Sequence, residues 1–463
     1  MMAGLSPRRR LVEAALVLGV FLAALVVFGT AKAKIDSDEG NWIGTTRYFE
    51  TYFIDREFSP EAWADGYWTR TQPMVFRYVI GSWLWLRGHD LQIQNPNYDY
   101  SKTAAANRRL GIAPSDDVLL DARMPARLMA ALAVTMLYLV VRVLAGPLGG
   151  LAAAISATGS PYLEEHLIRA KAESTLMFFL LAALLLAILS VGRLYRPWSA
   201  VPWGLATGVL LGLAFGTKLT TILVLIAVAV WGIGLDQPIA NGLRGWLATR
   251  LDRLHMPAVA RYLSVDPDPD AVPDAPPEGQ HRVSVWIWPL SALAAAGFVF
   301  VVTNPFLWPD PVGRTWLLFE NRRDEMTQQQ KDVPSRAVYT LGHRASLVWE
   351  RSVYNDAFSP SRLGWPLEGV LTVVGAAWLA VRAVRPGRGR PRAERQVFLW
   401  LALTWLGVSL GLGFLLQHYF VPTAMIATLL SGLAVGWGAR AARQLVRRWL
   451  PTSSPRPVTQ PAA

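Results

Sequence analysis

Long apolar runs alternate with shorter polar segments along the chain, and this pattern predicts membrane-spanning helices. Several of the runs approach the roughly 20 residues that a helix needs to cross a hydrocarbon core, and others are shorter. The predicted spans are residues 11–31, 126–144, 151–162, 175–191, 204–215, 220–235, 285–302, 369–384, 398–416 and 421–439. A further run, residues 75–86, is too short to span and contains Arg77. We predict that it forms a helix in the membrane interface, with Trp83 and Trp85 at the headgroups.

Positive charges next to the spans predict the orientation of the chain. Five basic flanks fall on one side if the odd-numbered spans run outward, namely those at residues 8–10, 142, 193–196, 382–395 and 440–448. Cytoplasmic flanks of membrane proteins are enriched in Lys and Arg. We therefore predict a multi-pass protein of the cell (plasma) membrane with both termini in the cytoplasm. The first span is longer than a signal-peptide core, which predicts an uncleaved signal anchor.

This topology divides the chain into four predicted parts. Residues 1–235 form an N-terminal transmembrane module whose first outer loop, residues 32–123, is large. Residues 236–284 form a cytoplasmic loop with an Arg-rich amphipathic helix and an acidic, Pro-rich linker. Residues 285–450 form a C-terminal transmembrane module with an outer loop at 304–364, and residues 451–463 form a disordered cytoplasmic tail.

The composition supports this all-α, polytopic membrane fold and excludes several kinds of function. Hydrophobic residues make up 52% of the chain and charged residues only 17%, whereas a soluble protein carries about a quarter charged residues. The formal charge of +12 arises from clusters beside the spans, which indicates topology and not a nucleic-acid surface. The chain has 0 cysteines, which excludes disulfides, thiolate metal sites and a cysteine nucleophile.

Ionisable residues gather at the predicted outer membrane edge, where they are costly and need an explanation. Three acids, Asp36, Asp38 and Glu39, follow the first span directly. Five basic residues contradict the positive-inside trend on that side, namely Arg123, Arg127, Arg169, Lys171 and Lys218. Taken singly, a solvated loop start and a lysine reaching for the interface explain them. Together they predict an outer-leaflet anion site, for which a lipid phosphate is a natural ligand.

The order of these motifs resembles the GT-C glycosyltransferases, specifically the protein O-mannosyltransferase and aminoarabinose transferase-like group. The acidic pair with Trp42 resembles the group's Asp-Glu-x-x-aromatic motif. The remaining similar stretches, in order, are Thr71–Met74, Arg123–Leu128, Arg169–Glu173, Gly212–Lys218 and Tyr419–Pro422. One departure concerns a His/Lys-Pro-Pro stretch of the group, which here reads Thr71-Gln72-Pro73. Arg70 or Arg77 is the candidate replacement for the missing basic contact.

The resemblance implies a fold and an activity. The fold is a GT-C-like bundle of about ten or more transmembrane helices with interfacial helices in the first outer loop. The activity is transfer of a hexosyl or pentosyl group, with inversion, from a polyprenyl-phosphate sugar to an acceptor hydroxyl on the extracytoplasmic face. No metal or other cofactor is required, because a phosphate is already a good leaving group. The expected partners are membrane lipids, the lipid-linked donor and a protein, lipid or glycan acceptor.

The resemblance also assigns roles to individual residues. Asp38 is the expected general base, and Glu39 orients it or binds the acceptor. The expected ligands of the donor phosphate are Arg123, Arg169 and Lys218. Further candidate substrate contacts are Arg70, Lys171, Glu173, His418 and Tyr419.

Two other classes of function fit parts of the sequence. A transporter or flippase of a lipid-linked or anionic solute would explain many spans, a broken helix at Gly216 and charges near the membrane. Against it, no inverted repeat is evident, and the charges gather at one face instead of the midplane. A metal-dependent oligosaccharyl transferase relative would share the fold but would normally need further acidic ligands and a soluble C-terminal domain. The sequence leaves the sugar, the acceptor and the oligomeric state open.

Overall fold

The computed structural model describes residues 6–64, 67–92, 99, 101–191, 197–232, 236–253, 281–354, 367–384 and 390–449. Within these ranges the chain is all-α, with short single-turn segments and one isolated antiparallel bridge between Ala337 and Phe414. The all-α prediction is therefore confirmed. The predicted acidic linker and the C-terminal tail lie outside the described residues.

Ten helices lie in the part of the chain up to residue 191. They are α1 (Pro7–Thr30), α2 (Ser37–Gly44), α3 (Arg47–Phe49), α4 (Tyr67–Thr71), α5 (Val75–Leu86), α6 (Ala104–Arg109), α7 (Asp116–Ala145), α8 (Pro147–Gly159), α9 (Pro161–Leu167) and α10 (Glu173–Ser190). A π-helical segment, Glu50–Ile54, continues α3. The predicted interfacial helix at residues 75–86 is present as α5 with the same bounds.

Nine further helices follow within the described residues. They are α11 (Pro197–Phe215), α12 (Ile222–Gly232), α13 (Asp236–Arg253), α14 (His281–Val302), α15 (Pro311–Asp332), α16 (Leu341–Trp349), α17 (Leu367–Ala383), α18 (Arg390–Gly411) and α19 (Val421–Trp449). Short 3-10 turns lie at Leu219–Thr221, Pro305–Leu307, Pro334–Arg336 and Gln417–Phe420, and a π segment at Glu350–Tyr354.

Among the residues that the structure describes, four helices are long and apolar enough to cross a membrane, namely Pro7–Thr30, Asp116–Ala145, Glu173–Ser190 and the stretch Gln417–Arg447. Shorter apolar helices include Ser199–Phe215, Ile222–Trp231 and Trp286–Val302. These helices indicate a membrane protein, and each of the ten predicted spans contains a helix. How many of the ten cross the membrane stays a prediction.

Two predicted spans end earlier than the hydropathy pattern suggested. The span at 151–162 was expected to be continuous, but α8 ends at Gly159 and Ser160 caps a separate helix, α9, that begins at Pro161. The span at 398–416 was expected to reach Leu416, but α18 ends at Gly411. Residue Phe414 instead bridges to Ala337. Gly159 and Pro161 stop α8, and Gly411 and Gly413 stop α18, because neither residue type continues a helix favourably.

A stripe of glycines draws α11 against α14. Gly204, Gly208 and Gly212 recur at every fourth position of α11 and face Ser291, Ala292 and Ala296, respectively, of α14. A Cβ atom at Gly208 would collide with the carbonyl oxygen of Ala292. Such small residues allow the backbones of neighbouring membrane helices to approach closely. The contact holds α11 in place, and Lys218 follows shortly after its end at Phe215.

Charged groups form two layers at opposite ends of the bundle. On α7, Arg123 lies near the start and Arg142 near the end, about 28 Å apart by the rise of an α-helix. Arg142 pairs with Glu13 of α1, and Arg440 donates to the carbonyl of Leu144. The Arg123 end also carries the predicted site, and we call it the outer end, following the predicted orientation.

The glycine stripe leads to a prediction about stability. Substituting Gly208→Ala should destabilise the protein by about 1–3 kcal/mol, because the added methyl group forces α11 and α14 apart. The matched control is Gly297→Ala on α14, where a Cβ meets no atom within 4 Å. Thermal unfolding in detergent, followed by tryptophan fluorescence, should show a lower midpoint for Gly208→Ala alone. Equal midpoints for the two variants would contradict the close packing described here.

Candidate active site

The acidic run after α1 folds as a capping box at the start of α2. Asp36 is the N-cap, and its Oδ1 accepts from the amide of Asp38 at 2.9 Å. In return, Oε2 of Glu39 accepts from the amide of Asp36 at 2.9 Å. This reciprocal arrangement satisfies amides that a helix start leaves open. It also separates the environments of the neighbouring acids Asp38 and Glu39.

Glu39 is completely buried and every acceptor site of its carboxylate is filled. Its Oε1 accepts from Nε of Arg123 at 2.7 Å and from the amide of Ala170 at 2.8 Å. Its Oε2 accepts from Nη2 of Arg123 at 2.6 Å and from the amide of Asp36. A carboxylate offers about four lone-pair directions. Glu39 therefore holds three segments of chain together, and this geometry favours the predicted orienting role over acceptor binding.

Arg123 completes this buried clamp. Besides Glu39, its guanidinium donates to the carbonyls of Ala33 and Lys34, at 2.9 and 3.1 Å. One turn later on α7, Arg127 donates to the carbonyl of Ala31 at 3.2 Å. The guanidinium groups thus bind the carbonyl groups where α1 ends. The predicted contact between Arg123 and a donor phosphate stays a prediction, and the geometry favours a structural role.

Asp38 lies on the open side of the same turn. Its side chain is 33% exposed, whereas that of Glu39 is 0% exposed. Oδ2 of Asp38 lies 3.2 Å from the ammonium group of Lys171. Of the two acids in the motif, Asp38 is thus the one that a substrate can reach.

Lys171 connects the acidic turn, which carries Asp36 and Asp38, to the last turn before α19. Its ammonium group lies 3.1 Å from Oδ2 of Asp36, 3.2 Å from Oδ2 of Asp38 and 3.2 Å from Nδ1 of His418. Burial lowers the pKa of Lys171, but Asp38, Asp36 and Glu173 outweigh it and hold the pKa above its ordinary value. The amine is therefore protonated at neutral pH.

The contact with Lys171 defines the protonation state of His418. An ammonium group only donates hydrogen bonds, so Nδ1 of His418 must accept from Lys171 and the ring proton lies on Nε2. Burial, together with the charges of Lys171 and Lys218, holds the pKa of His418 well below its ordinary value. His418 is therefore neutral at pH 7.

Asp36 is the ionised partner of two cations. It accepts from Nη1 of Arg169 at 2.9 Å as well as from Lys171. Burial raises the pKa of Asp36, but Lys171, the amide of Asp38 and Arg169 outweigh it, and the pKa lies below the usual aspartate value. Arg169 also pairs with Glu165 at 2.5 Å. Within the described part of the chain, no three His, Asp or Glu side chains converge as the ligands of a metal ion would.

Lys218 lies beyond His418, at the break after α11. Its ammonium group pairs with Oε1 of Glu173 at 2.8 Å and lies 4.9 Å from the ring centre of Tyr419. The break itself is fixed by the amide of Val75, which donates to the carbonyl of Gly216 at 2.9 Å. The start of α5 thereby positions the predicted phosphate ligand Lys218.

A cavity of about 330 Å³ begins at Lys218. Its polar end carries Lys218, Arg322 and Tyr419, with Thr71 and Gln72 beside them. Apolar side chains form the remaining walls, among them Leu219, Ile222, Leu223, Phe319, Met326, Val408, Leu410 and Leu412. Leu410 is exposed, so the cavity reaches the surface of the bundle between α12 and α18. A cationic end and apolar walls suit an anionic head group with a hydrocarbon tail.

The other predicted residues lie away from this cavity. Arg123 and Arg169 do not line it. Arg70 is exposed and donates to the carbonyl of Ala64 at 3.3 Å. Arg77 is completely buried between the rings of Trp42, Tyr48 and Trp68. Arg77 therefore does not supply the cavity wall with the basic contact that the Thr71–Pro73 stretch lacks.

Arg322 supplies a second cation to the cavity, and the sequence analysis did not identify it. Its guanidinium donates to Oη of Tyr419 and pairs with Glu325. Phe319, Arg322 and Met326 share one face of α15 and all line the cavity. An arginine within an apolar face at helical spacing was the available signal. The sequence analysis assigns residues 304–364 to an outer loop and therefore does not identify Arg322 as a site residue.

Comparison with known sequences identifies part of the chain. A sequence model of the family described as dolichyl-phosphate-mannose-protein mannosyltransferase matches residues 109–254, about a third of the chain. The match confirms the resemblance to this group that motif order predicted. No curated protein sequence matches the chain.

Two solved structures have a similar course of helices. One is the archaeal oligosaccharyltransferase AglB from Archaeoglobus fulgidus, in complex with an inhibitory peptide and a dolichol-phosphate. It shares 12% identity at a TM-score of 0.47, over 95% of this chain and 52% of that one. The other is ArnT from Cupriavidus metallidurans bound to undecaprenyl phosphate, with 15% identity and a TM-score of 0.46, over 96% of this chain and 64% of that one. The chain thus spans between half and two thirds of these structures.

The different burial of the two acids leads to a prediction. Glu39→Gln should destabilise the protein by about 3–5 kcal/mol, because it leaves the buried guanidinium of Arg123 without its counter-charge. Asp38→Asn is the matched control on the neighbouring residue and should leave the unfolding midpoint nearly unchanged, since Asp38 is partly exposed. Thermal unfolding of the two variants measures the difference. Equal loss of stability in both would show that the acids do not differ as described.

Proposed function

Because residues 109–254 match the mannosyltransferase family model, we propose that this chain is a GT-C glycosyltransferase of the membrane. It transfers a sugar from a polyprenyl-phosphate donor to an acceptor hydroxyl on the extracytoplasmic face, with inversion. One observation carries the proposal. A cavity with two cations at one end and apolar walls is linked through His418 and Lys171 to the partly exposed carboxylate of Asp38.

The cavity accounts for binding of the donor. Lys218 and Arg322 both line the cavity, and in this proposal the donor phosphate receives charge-assisted hydrogen bonds from both. The apolar walls cover the first isoprenoid units of the tail, whose burial contributes about 25 cal/mol for each Å² removed from water. Arg322 takes the place of the basic residue that the Thr71–Pro73 stretch lacks.

Asp38 provides the base for the transfer step. The acceptor oxygen attacks the anomeric carbon on the face opposite the phosphate, and its proton passes to the carboxylate of Asp38. The bond between the anomeric carbon and the phosphate oxygen breaks, and the phosphate leaves with the bonding electrons. Lys218 and Arg322 stabilise the charge that develops on it. No general acid is required, because a phosphate is already a good leaving group.

Glu39 and Arg123 act on this reaction through the position of the backbone. They touch neither the cavity wall nor the exposed face of Asp38. Their hydrogen bonds join the end of α1, the start of α2, α7 and the segment before α10. These bonds hold in place the capping box from which Asp38 projects. Both are therefore positioning residues in this proposal.

The role of Asp38 leads to the first functional prediction. Asp38→Asn should lower the turnover number by at least about 100-fold, since general base catalysis typically contributes that much. The assay is consumption of polyprenyl-phosphate sugars by the purified protein in detergent, with the wild type and Asp55→Asn as references. Asp55 is exposed and lies in the first outer loop. Turnover near the wild-type value in Asp38→Asn would exclude Asp38 as the base.

The role of Lys218 leads to a second prediction, which a double variant tests more clearly than the single variant. Lys218→Met alone leaves Glu173 buried without its cation, which is itself destabilising. Lys218→Met combined with Glu173→Gln removes both charges and should preserve the fold. The double variant should weaken binding of undecaprenyl phosphate by about 10- to 100-fold, the value of a hydrogen bond to a charged group. Titration of the phosphate lipid measures this, with Glu173→Gln as the control. Unchanged affinity in the double variant would remove Lys218 from the donor site.

A further inference from the structure

Lys171 lies at the centre of the outer end and is almost completely withdrawn from solvent. Its side chain is 2% exposed. An ammonium group has three N–H donors and no acceptor. Three acceptors surround it at hydrogen-bonding distance, namely Oδ2 of Asp36, Oδ2 of Asp38 and Nδ1 of His418. Lys171 thus shares a hydrogen bond with His418 and is ion-paired with both aspartates, so its charge is compensated within the protein.

The three partners belong to the two halves of the site. Asp36 and Asp38 form the acidic turn after α1, and Asp38 is the proposed base. His418 precedes Tyr419, whose ring lies against the ammonium group of Lys218 at the cavity. Lys171 is the shared contact of both halves, since its one ammonium group binds Asp38 and His418 at once.

We propose that Lys171 is a positioning residue that holds the carboxylate of Asp38 at a fixed place relative to the donor cavity, and that it does not contact substrate. The inference deepens the proposed function and rests on it. A partly exposed aspartate side chain can rotate between several rotamers. The ion pair with Lys171 selects one of them and ties it to the turn that carries Tyr419.

Lys171 contacts Asp38 through one carboxylate oxygen, Oδ2. Asp36 shares the same ammonium group and is itself compensated by Arg169. Among the described residues, Asp38 has one ion-pair partner, Lys171, at 3.2 Å. In the proposed reaction, Oδ1 of Asp38 takes the proton of the acceptor hydroxyl. A positioning role thus requires both a cation at residue 171 and the correct distance to Asp38.

Kinetics of Lys171 variants distinguish a positioning role from a substrate contact. Lys171→Met should lower kcat by about 100-fold, because a displacement of about 1 Å at a reacting group has that effect. KM for the donor and for the acceptor should stay within about twofold, since binding groups are untouched. Lys171→Arg keeps the charge and should recover part of kcat. A raised KM with unchanged kcat in Lys171→Met would overturn the proposal in favour of a substrate contact.

A second measurement on the same variants does not depend on activity. Labelling of carboxylates by a water-soluble carbodiimide and glycinamide, followed by mass spectrometry, reports how firmly each carboxylate is held. Asp38 should be labelled about two- to fivefold faster in Lys171→Met than in the wild type, in line with the loss of one ion pair. Asp55, an exposed carboxylate in the first outer loop, serves as the internal reference. Unchanged labelling of Asp38 would show that Lys171 does not hold it, and would overturn the proposal.

Lys102→Met is the matched control, and the two measurements separate two kinds of failure. Lys102 forms an exposed pair with Asp99 far along the first outer loop, and its loss should change neither kcat nor the labelling of Asp38. If the wild type transferred no sugar from any polyprenyl phosphate, the proposed function would fail, while the labelling would still decide whether Lys171 holds Asp38. The proposal would also fail if Asp38 were labelled as fast in Lys171→Arg as in Lys171→Met, because the arginine keeps the charge at residue 171.

Discussion

The buried ion pair between Glu39 and Arg123 is the interaction on which the outer end of this protein depends. Removing two charges from water is costly, and only full hydrogen bonding offsets that cost. Here the carboxylate has four donors, and the guanidinium also binds two carbonyl groups where α1 ends. Because those partners come from the end of α1, the start of α2, α7 and the segment before α10, one pair sets the relative positions of four chain segments. Asp38 acquires its place as the neighbour of Glu39.

From this clamp a chain of contacts runs across the site to the cavity. Asp38 binds Lys171, Lys171 binds His418, and the adjacent Tyr419 packs against Lys218. Each cation in the chain has a carboxylate partner, because an unpaired charge at the membrane edge is unfavourable. His418 is the neutral link, and its low pKa follows from burial and from the cations on either side. A positively charged residue at that position would add a cation without a partner.

The helical membrane fold was predictable from the sequence, whereas the contacts within the candidate site were not. Apolar runs indicate helices reliably, so the interfacial helix α5 has the expected bounds. The structure brings four residues of the predicted site into one series of contacts: Asp38 and His418 both contact Lys171, and Lys218 lies against Tyr419, the residue after His418. Sequence alone does not show which way a side chain points, so the burial of Glu39 and the partial exposure of Asp38 do not follow from their adjacent positions, although the resemblance already gives them different roles. Arg322 was missed for a related reason, since only the rotation of α15 brings it to the cavity.

The proposed reaction moves negative charge along this same line of residues. As Asp38 takes the proton of the acceptor it becomes neutral, and the departing phosphate gains the charge that Asp38 gives up. The total charge of the site is therefore unchanged, while its centre shifts from the acidic turn toward Lys218 and Arg322. Fixed cations along that path stabilise the shift without reorganising, which is the form of electrostatic stabilisation that enzymes use most. Lys171 then has only Asp36 as its ionised partner, and return of the proton to solvent from the exposed face of Asp38 restores the starting arrangement.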